Sequence, residues 1–199
     1  AGNLFSVKNA LDFLEEESII TADCREIRCA DAVILPGVGA FPDAMHMLRE
    51  QGLAEVIKEE AQKKPLLGIC LGMQMLFEKS YEFQETEGLG LIPGCVQLID
   101  GGGLKIPHMG WNDLTVLNPC AMTENMPKGA YVYFVHSFRA DTGDENISCY
   151  TIYNERIPAL VHRGYVYGAQ FHPEKSGAAG LELLKNFARL VRKLSLIHI

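Results

Sequence analysis

The 199-residue sequence has no basic tract, no Cys-x-x-Cys pair and no apolar run approaching the roughly 20 residues of a bilayer-spanning helix. Each absence removes a class of function. With no lysine- and arginine-rich stretch and a net charge of −7, neither a nucleic-acid surface nor a membrane surface is expected. The six cysteines, at 24, 29, 70, 95, 120 and 149, have no spacing suited to paired metal ligands. No metal is therefore expected, and the cysteines read as reduced thiols of a cytoplasmic protein. No secretory signal is expected either. Repeats and low-complexity linkers are also missing, so residues 1–199 read as a single domain, long enough to bury a sizeable core.

What is present alternates. Asn3 reads as an N-cap, followed by Leu4, Val7, Leu11 and Leu14 at helical spacing. Residues 18–23 (SIITAD) read as a short strand, and Val33–Leu35 as an apolar strand broken at Pro36-Gly37. Pro42 marks the start of a helix whose apolar face is Met45, Leu48, Leu53, Val56 and Ile57. Pro65 introduces the strand LLGIC, and a turn then leads to a helix over MQMLFEKS. This alternation predicts a mostly parallel central sheet flanked by helices. From residue 95 on, short β-rich runs with turn residues between them take over, and a helix with Leu181, Leu184, Phe187, Val191 and Leu194 on one face closes the pattern. An α/β sheet of this type ordinarily begins with a strand, so a leading strand is expected to be missing.

Three stretches carry chemistry. Gly68-Ile69-Cys70-Leu71-Gly72 has the Gly-x-nucleophile-x-Gly pattern of a strand-to-helix elbow. Such a turn exposes a thiol at the carboxyl end of a strand, aims the next helix N-terminus at the sulfur, and offers the Leu71 N–H to an oxyanion. A lone cysteine between small residues is more often packing than catalysis. His172-Pro173-Glu174 would supply a base and its orienter, because residues i and i+2 of an extended segment point the same way. On its own, an exposed loop histidine beside a glutamate is the stronger reading. Pro36-Gly37-Val38-Gly39 fits neither a dinucleotide fingerprint nor a phosphate loop; its backbone N–H groups suit an oxyanion or an amide, although taken alone it reads as a plain strand-to-helix turn. Of the other histidines, His46 reads as helical, His162 as lying in a polar turn, and His108 and His136 as structural. Cys24 and Cys29 read as strand or loop residues, as do Cys95, Cys120 and Cys149.

In this order the three stretches resemble the class I (triad) glutamine amidotransferases. PGVGAF, GLGLIPG, IPHMGWN, YFVHSFRA and GAQFHPEKSG are similar to the glutaminase subunits of imidazole glycerol phosphate synthase within that family. The resemblance implies a flavodoxin-like fold with an extra β-rich segment in the C-terminal half, and no cofactor. It implies catalysis by Cys70, His172 and Glu174, with the oxyanion against Leu71 and the Val38-Gly39 turn. Glutamine would lie against Gly37, Gln74, Glu82, Ser137 and Phe138. It further implies a heterodimer with a (β/α)8 cyclase barrel that receives ammonia, with Asn3, Trp111 and Lys175 facing the partner. Trp111 reads as part of a turn, and a core position is the competing expectation for it. The competing function is a stand-alone Cys-His-Glu hydrolase acting on γ-glutamyl compounds or peptides.

Overall fold

The structure, a computed structural model, describes residues 2–195; Ala1 and residues 196–199, His198 among them, lie outside the described residues. In chain order the elements are α1 (Gly2–Phe13), α2 (Cys24–Cys29), β1 (Val33–Leu35), α3 (Phe41–Glu50), α4 (Leu53–Glu60), β2 (Leu66–Ile69), α5 (Leu71–Gln74) and β3 (Phe77–Ser80). Next come β4 (Thr86–Glu87), β5 (Ile92–Leu98), β6 (His108–Asp113), β7 (Thr115–Val116), β8 (Tyr131–His136) and β9 (Phe138–Asp141). Last are β10 (Ile147–Tyr153), β11 (Glu155–Arg163), β12 (Val166–Ala169), a 3-10 turn at Pro173–Lys175 and α6 (Gly177–Ser195).

The main sheet runs β1-β2-β12-β11-β10-β7. Only β1–β2 and β2–β12 pair in parallel; the other ladders of this sheet are antiparallel. The α/β class holds, but the sheet is mixed and its parallel character is confined to the strands around β2. A four-stranded sheet, β4-β3-β5-β9, and a β6–β8 ribbon form the β-rich remainder. Strand β2 is buried on both faces and alternates between two cores: Leu66 joins the cluster with Phe41 and Met45, while Leu67 and Ile69 join Phe134, Phe171 and Leu184. Each fully buried side chain of this kind stabilises the fold by about 1.5–3 kcal/mol. Two cores meeting on β2 therefore hold its C-terminal end rigidly.

Several expectations are corrected. Residues 18–23 form no strand; none of the described ladders reaches them, and Ile19 and Ile20 are exposed. Asn3 lies inside α1 rather than at its N-cap. Cys24 and Cys29 bound a short helix, where Asp23 caps by accepting the Arg25 N–H. The long helix expected after Pro42 is two helices, broken at Gly52, whose φ of 68° is left-handed. The helix after the elbow stops at Gln74, and Phe77–Ser80 is a strand paired with β5, so tertiary pairing overrides local helix preference there. His162 sits in β11. Trp111 lies in strand β6, 56% exposed, and so is neither a turn nor a core residue.

Candidate active site

Cys70 follows β2 directly, with φ 54° and ψ −112°. A side chain other than glycine at positive φ is strained, and such strain persists where the surroundings enforce it. Here they do. The Cys70 N–H donates to Ala169 O at 2.7 Å, and its carbonyl accepts the Gln74 N–H at 3.1 Å. The flanking glycines are steric necessities: a Cβ on Gly72 would stand 1.8 Å from Leu35 O, and one on Gly68 2.6 Å from Gly72 O. The following helix is a single turn, too short for a substantial dipole at the sulfur. Electrostatic help for the sulfur therefore falls to a neighbouring side chain.

That neighbour is His172, just beyond β12, which itself pairs in parallel with β2. His172 Nδ1 lies 2.7 Å from Glu174 Oε1, and both side chains are buried. The backbone of His172 is clamped as well. Its N–H donates to Tyr133 O at 3.0 Å, and its carbonyl accepts from Ser176 Oγ at 2.6 Å. Burial by itself lowers the His172 pKa. The interactions with the Cys70 and Glu174 side chains outweigh it and carry the value up to about 9. At neutral pH the ring is an imidazolium, with Nδ1–H donating to Glu174. The second Glu174 oxygen, Oε2, is buried without a partner among the described residues.

A cleft of about 290 Å³ opens over these groups. Cys70, Leu71 and His172 line it from one side, Val38 and Gly39 from another. Gln74, Glu82, Ser137, Phe138 and Lys175 complete the expected set on its wall. Glu82 Oε2 accepts the Phe41 N–H at 2.9 Å, which ties it to the start of α3. Gln74 is buried, and its Nε2 donates to Phe138 O at 3.0 Å and Gln170 Oε1 at 3.1 Å. Gly37 lies on the far side of the loop, lining a separate cleft of about 340 Å³ against α3. Besides Gly37, two expected residues stand apart from the cleft. Trp111 is on the outer face of the ribbon, edge-on to Tyr133 at 6.1 Å between ring centroids. Asn3 is buried with neither amide atom partnered among the described residues, in a helix that packs on the Pro173–Lys175 turn.

Three residues of this region escaped sequence reasoning as site residues. Gln170 Nε2 lies 3.8 Å from Cys70 Sγ; its signal was the two-residue alternation Gln170, His172, Glu174. His136 lines the cleft, and His108 sits behind it. They carried no local motif, because they meet only through the β6–β8 pairing.

The arrangement can perform acyl transfer: a cysteine nucleophile, an oriented histidine, and backbone N–H groups facing the same cleft. Comparison with known proteins agrees. The family model described as glutamine amidotransferase class-I matches residues 7–191. The imidazole glycerol phosphate synthase subunit HisH of Oceanobacillus iheyensis is 48% identical over 194 residues, covering 96% of each chain. The subunit of that name from Streptococcus sanguinis is 50% identical over 193 residues, covering 96% of this chain and 93% of that one. Among solved structures, a glutamine amidotransferase superposes with a TM-score of 0.73 at 21% identity, covering 94% and 93% of the two chains. A glutamine amidotransferase from Thermotoga maritima reaches 0.57 at 18% identity, covering 92% and 70%. The two structural likenesses bear on the fold alone; the family match and the curated relatives extend to the sequence itself. This chain belongs to the class-I glutamine amidotransferase family.

Proposed function

We propose that this chain is a single-domain glutaminase, the subunit of imidazole glycerol phosphate synthase that supplies ammonia for histidine biosynthesis. The observation that carries the reading is Cys70 on a strained elbow, facing one cleft with a His172 that Glu174 orients at 2.7 Å. The Cys70 sulfur attacks the side-chain amide carbon of glutamine. Negative charge on the amide oxygen settles against the Leu71 N–H and an N–H of the Val38-Gly39 turn. His172 gives a proton to the departing nitrogen, ammonia leaves, and a γ-glutamyl thioester remains. Water then adds to the thioester carbonyl with His172 as base, and glutamate is released. Glu82 suits the substrate ammonium by charge; Gln74, Ser137 and Phe138 line the remaining wall.

Ammonia set free in water near neutral pH is protonated and lost as a nucleophile. Delivery into a docked acceptor enzyme avoids this, and the curated relatives are named as synthase subunits. The partner in this reading is the (β/α)8 cyclase. It docks on the face where Met109, Trp111 and Tyr131 stand exposed, at 61%, 56% and 61%, with Lys175 at the cleft rim. A cytoplasmic location suits unpaired thiols. The test is ammonia release from glutamine with and without the cyclase. Cys70→Ser is expected to abolish it while leaving the melting temperature near that of the parent. Near-normal release by the variant, or preferred hydrolysis of γ-glutamyl peptides without a partner, would overturn the reading.

A further inference from the structure

A directional chain of hydrogen bonds runs through the β6–β8 ribbon and ends on the wall of the cleft. Its members are not the triad. His108 and His136 are cross-strand partners, both buried, with His108 Nδ1 2.9 Å from His136 Nε2. His136 Nδ1 lies 2.7 Å from Phe138 O. A carbonyl only accepts, so His136 Nδ1 carries the proton, its Nε2 is the acceptor, and His108 Nδ1 must donate to it. At the outer end Asn112 Nδ2 approaches His108 Nε2 at 3.4 Å. The His108 ring is further fixed by stacking on Phe134 at 4.7 Å and Tyr153 at 4.2 Å between centroids.

The acceptor at the end of this chain occupies an informative place. Strand β9 is the edge of the four-stranded sheet. Its register pairs Phe138 with Leu98, and the Ile99 N–H donates to Ser137 O at 2.9 Å. In an antiparallel ladder, alternate residues turn both backbone groups toward the partner and the intervening ones turn both away. Phe138 is of the second kind, so its N–H and C=O both leave the sheet on the side facing the cleft. The carbonyl is occupied twice, by His136 Nδ1 and Gln74 Nε2. The N–H points the same way, into a cleft that also holds the Glu82 carboxylate. An α-amino acid presents two opposite charges, and these are the groups suited to receive them. A carboxylate beside this N–H would ordinarily be repelled by the carbonyl of the same residue. Two donors on that carbonyl reduce the repulsion and hold the peptide from turning.

We propose that His108 and His136 are positioning residues for substrate recognition, holding the Phe138 backbone so that its N–H receives the α-carboxylate of glutamine. This rests on the glutaminase reading and adds residues to it. Neither ring touches the reacting atoms. Both are kept neutral by burial, which lowers His136 to about 3 and His108 to about 4, so the donor order is fixed at working pH.

The test measures glutamine binding apart from turnover. Iodoacetamide alkylates Cys70 without needing a carboxylate contact, and bound glutamine protects the thiol. His136→Leu is expected to raise the glutamine concentration for half-protection about tenfold or more, with alkylation in its absence within about twofold of the parent. His136→Asn keeps a donor near the Nδ1 position and should restore most of the affinity. His108→Leu, farther from the cleft, should raise the concentration about threefold, and His108→Asn should not. The His108 pair decides the matter if His136→Leu does not fold. Unchanged protection in the folded leucine variants, equal losses in the asparagine variants, or a parallel fall in the alkylation rate would overturn the proposal. A parent protein that glutamine does not protect would instead overturn the glutaminase reading.

Discussion

Two histidine sites flank one cleft, and burial leaves them in opposite states. His172 is carried up to about 9, while His136 falls to about 3 and His108 to about 4. All three are buried, and desolvation pushes all three the same way. The difference is the partner. His172 has a carboxylate at 2.7 Å and faces a thiol; His136 has a neutral imidazole and a carbonyl. Burial dictates the charge of a histidine only when nothing ionised is within bonding distance. One site is thus prepared to move a proton, the other to hold a fixed donor order.

The sharpest way to break this contrast is Glu174→Gln, which gives His172 a neutral neighbour. The His172 pKa should then fall from about 9, with the Cys70 interaction left in place, and glutaminase rate should drop about 10³- to 10⁴-fold. The loss should remain smaller than that of His172→Ala, because the nucleophile and oxyanion donors survive. NMR titration of the ring and steady-state ammonia release together check it. If neither Glu174→Gln nor His172→Ala alters the rate, the triad assignment fails.

A second experiment probes the outer face of the ribbon that carries His108. Trp111→Ala should weaken association with the cyclase by on the order of 2 kcal/mol or more, with little change in melting temperature. Calorimetric titration beside a melting curve decides this. Unchanged affinity would move the docking surface elsewhere on the molecule.

The smallest effect is on stability, and its signs are opposite at the two sites. His172 has a raised folded-state pKa, so its contribution is complete below 6.5 and is lost as pH rises through about 9. His108 and His136 have depressed values, so theirs is present above 6.5 and is lost as pH falls through about 4 and then 3. Denaturant midpoints across this range should show His172→Gln flattening the alkaline limb alone. His108→Asn should flatten part of the acid limb alone. Equal effects on both limbs would mean that the two sites do not differ in charge.

Much of this site was legible in the sequence because its chemistry is local. Gly68 to Gly72 encodes an elbow through steric demand, and His172-Pro173-Glu174 encodes an oriented base through two-residue alternation. In the structure Cys70 follows β2 at positive φ, and His172 and Glu174 meet at 2.7 Å. What escaped depends on long-range pairing. Residues 18–23 have strand composition, but a strand needs a neighbour. Phe77–Ser80 continues a helical pattern and is taken instead by β5. Trp111, next to Gly110, reads as part of a turn, although the ladder with β8 runs straight through. The His108–His136 contact spans 28 positions and has no signature in either local stretch.

The elbow has a consequence for how tolerance to substitution should be distributed along LLGIC and LGMQ. Cys70 fills a position where other side chains of similar size fit, and its thiol is required by chemistry alone. Gly68 and Gly72 take no part in the chemistry, yet a single added carbon at either meets backbone atoms that cannot move aside. A deep mutational scan scored by cellular abundance would therefore find the glycines intolerant and the cysteine permissive. Scored by growth without histidine, all three positions would be intolerant. The difference between the two maps would single out Cys70 within its own motif, separating what the turn needs from what the reaction needs.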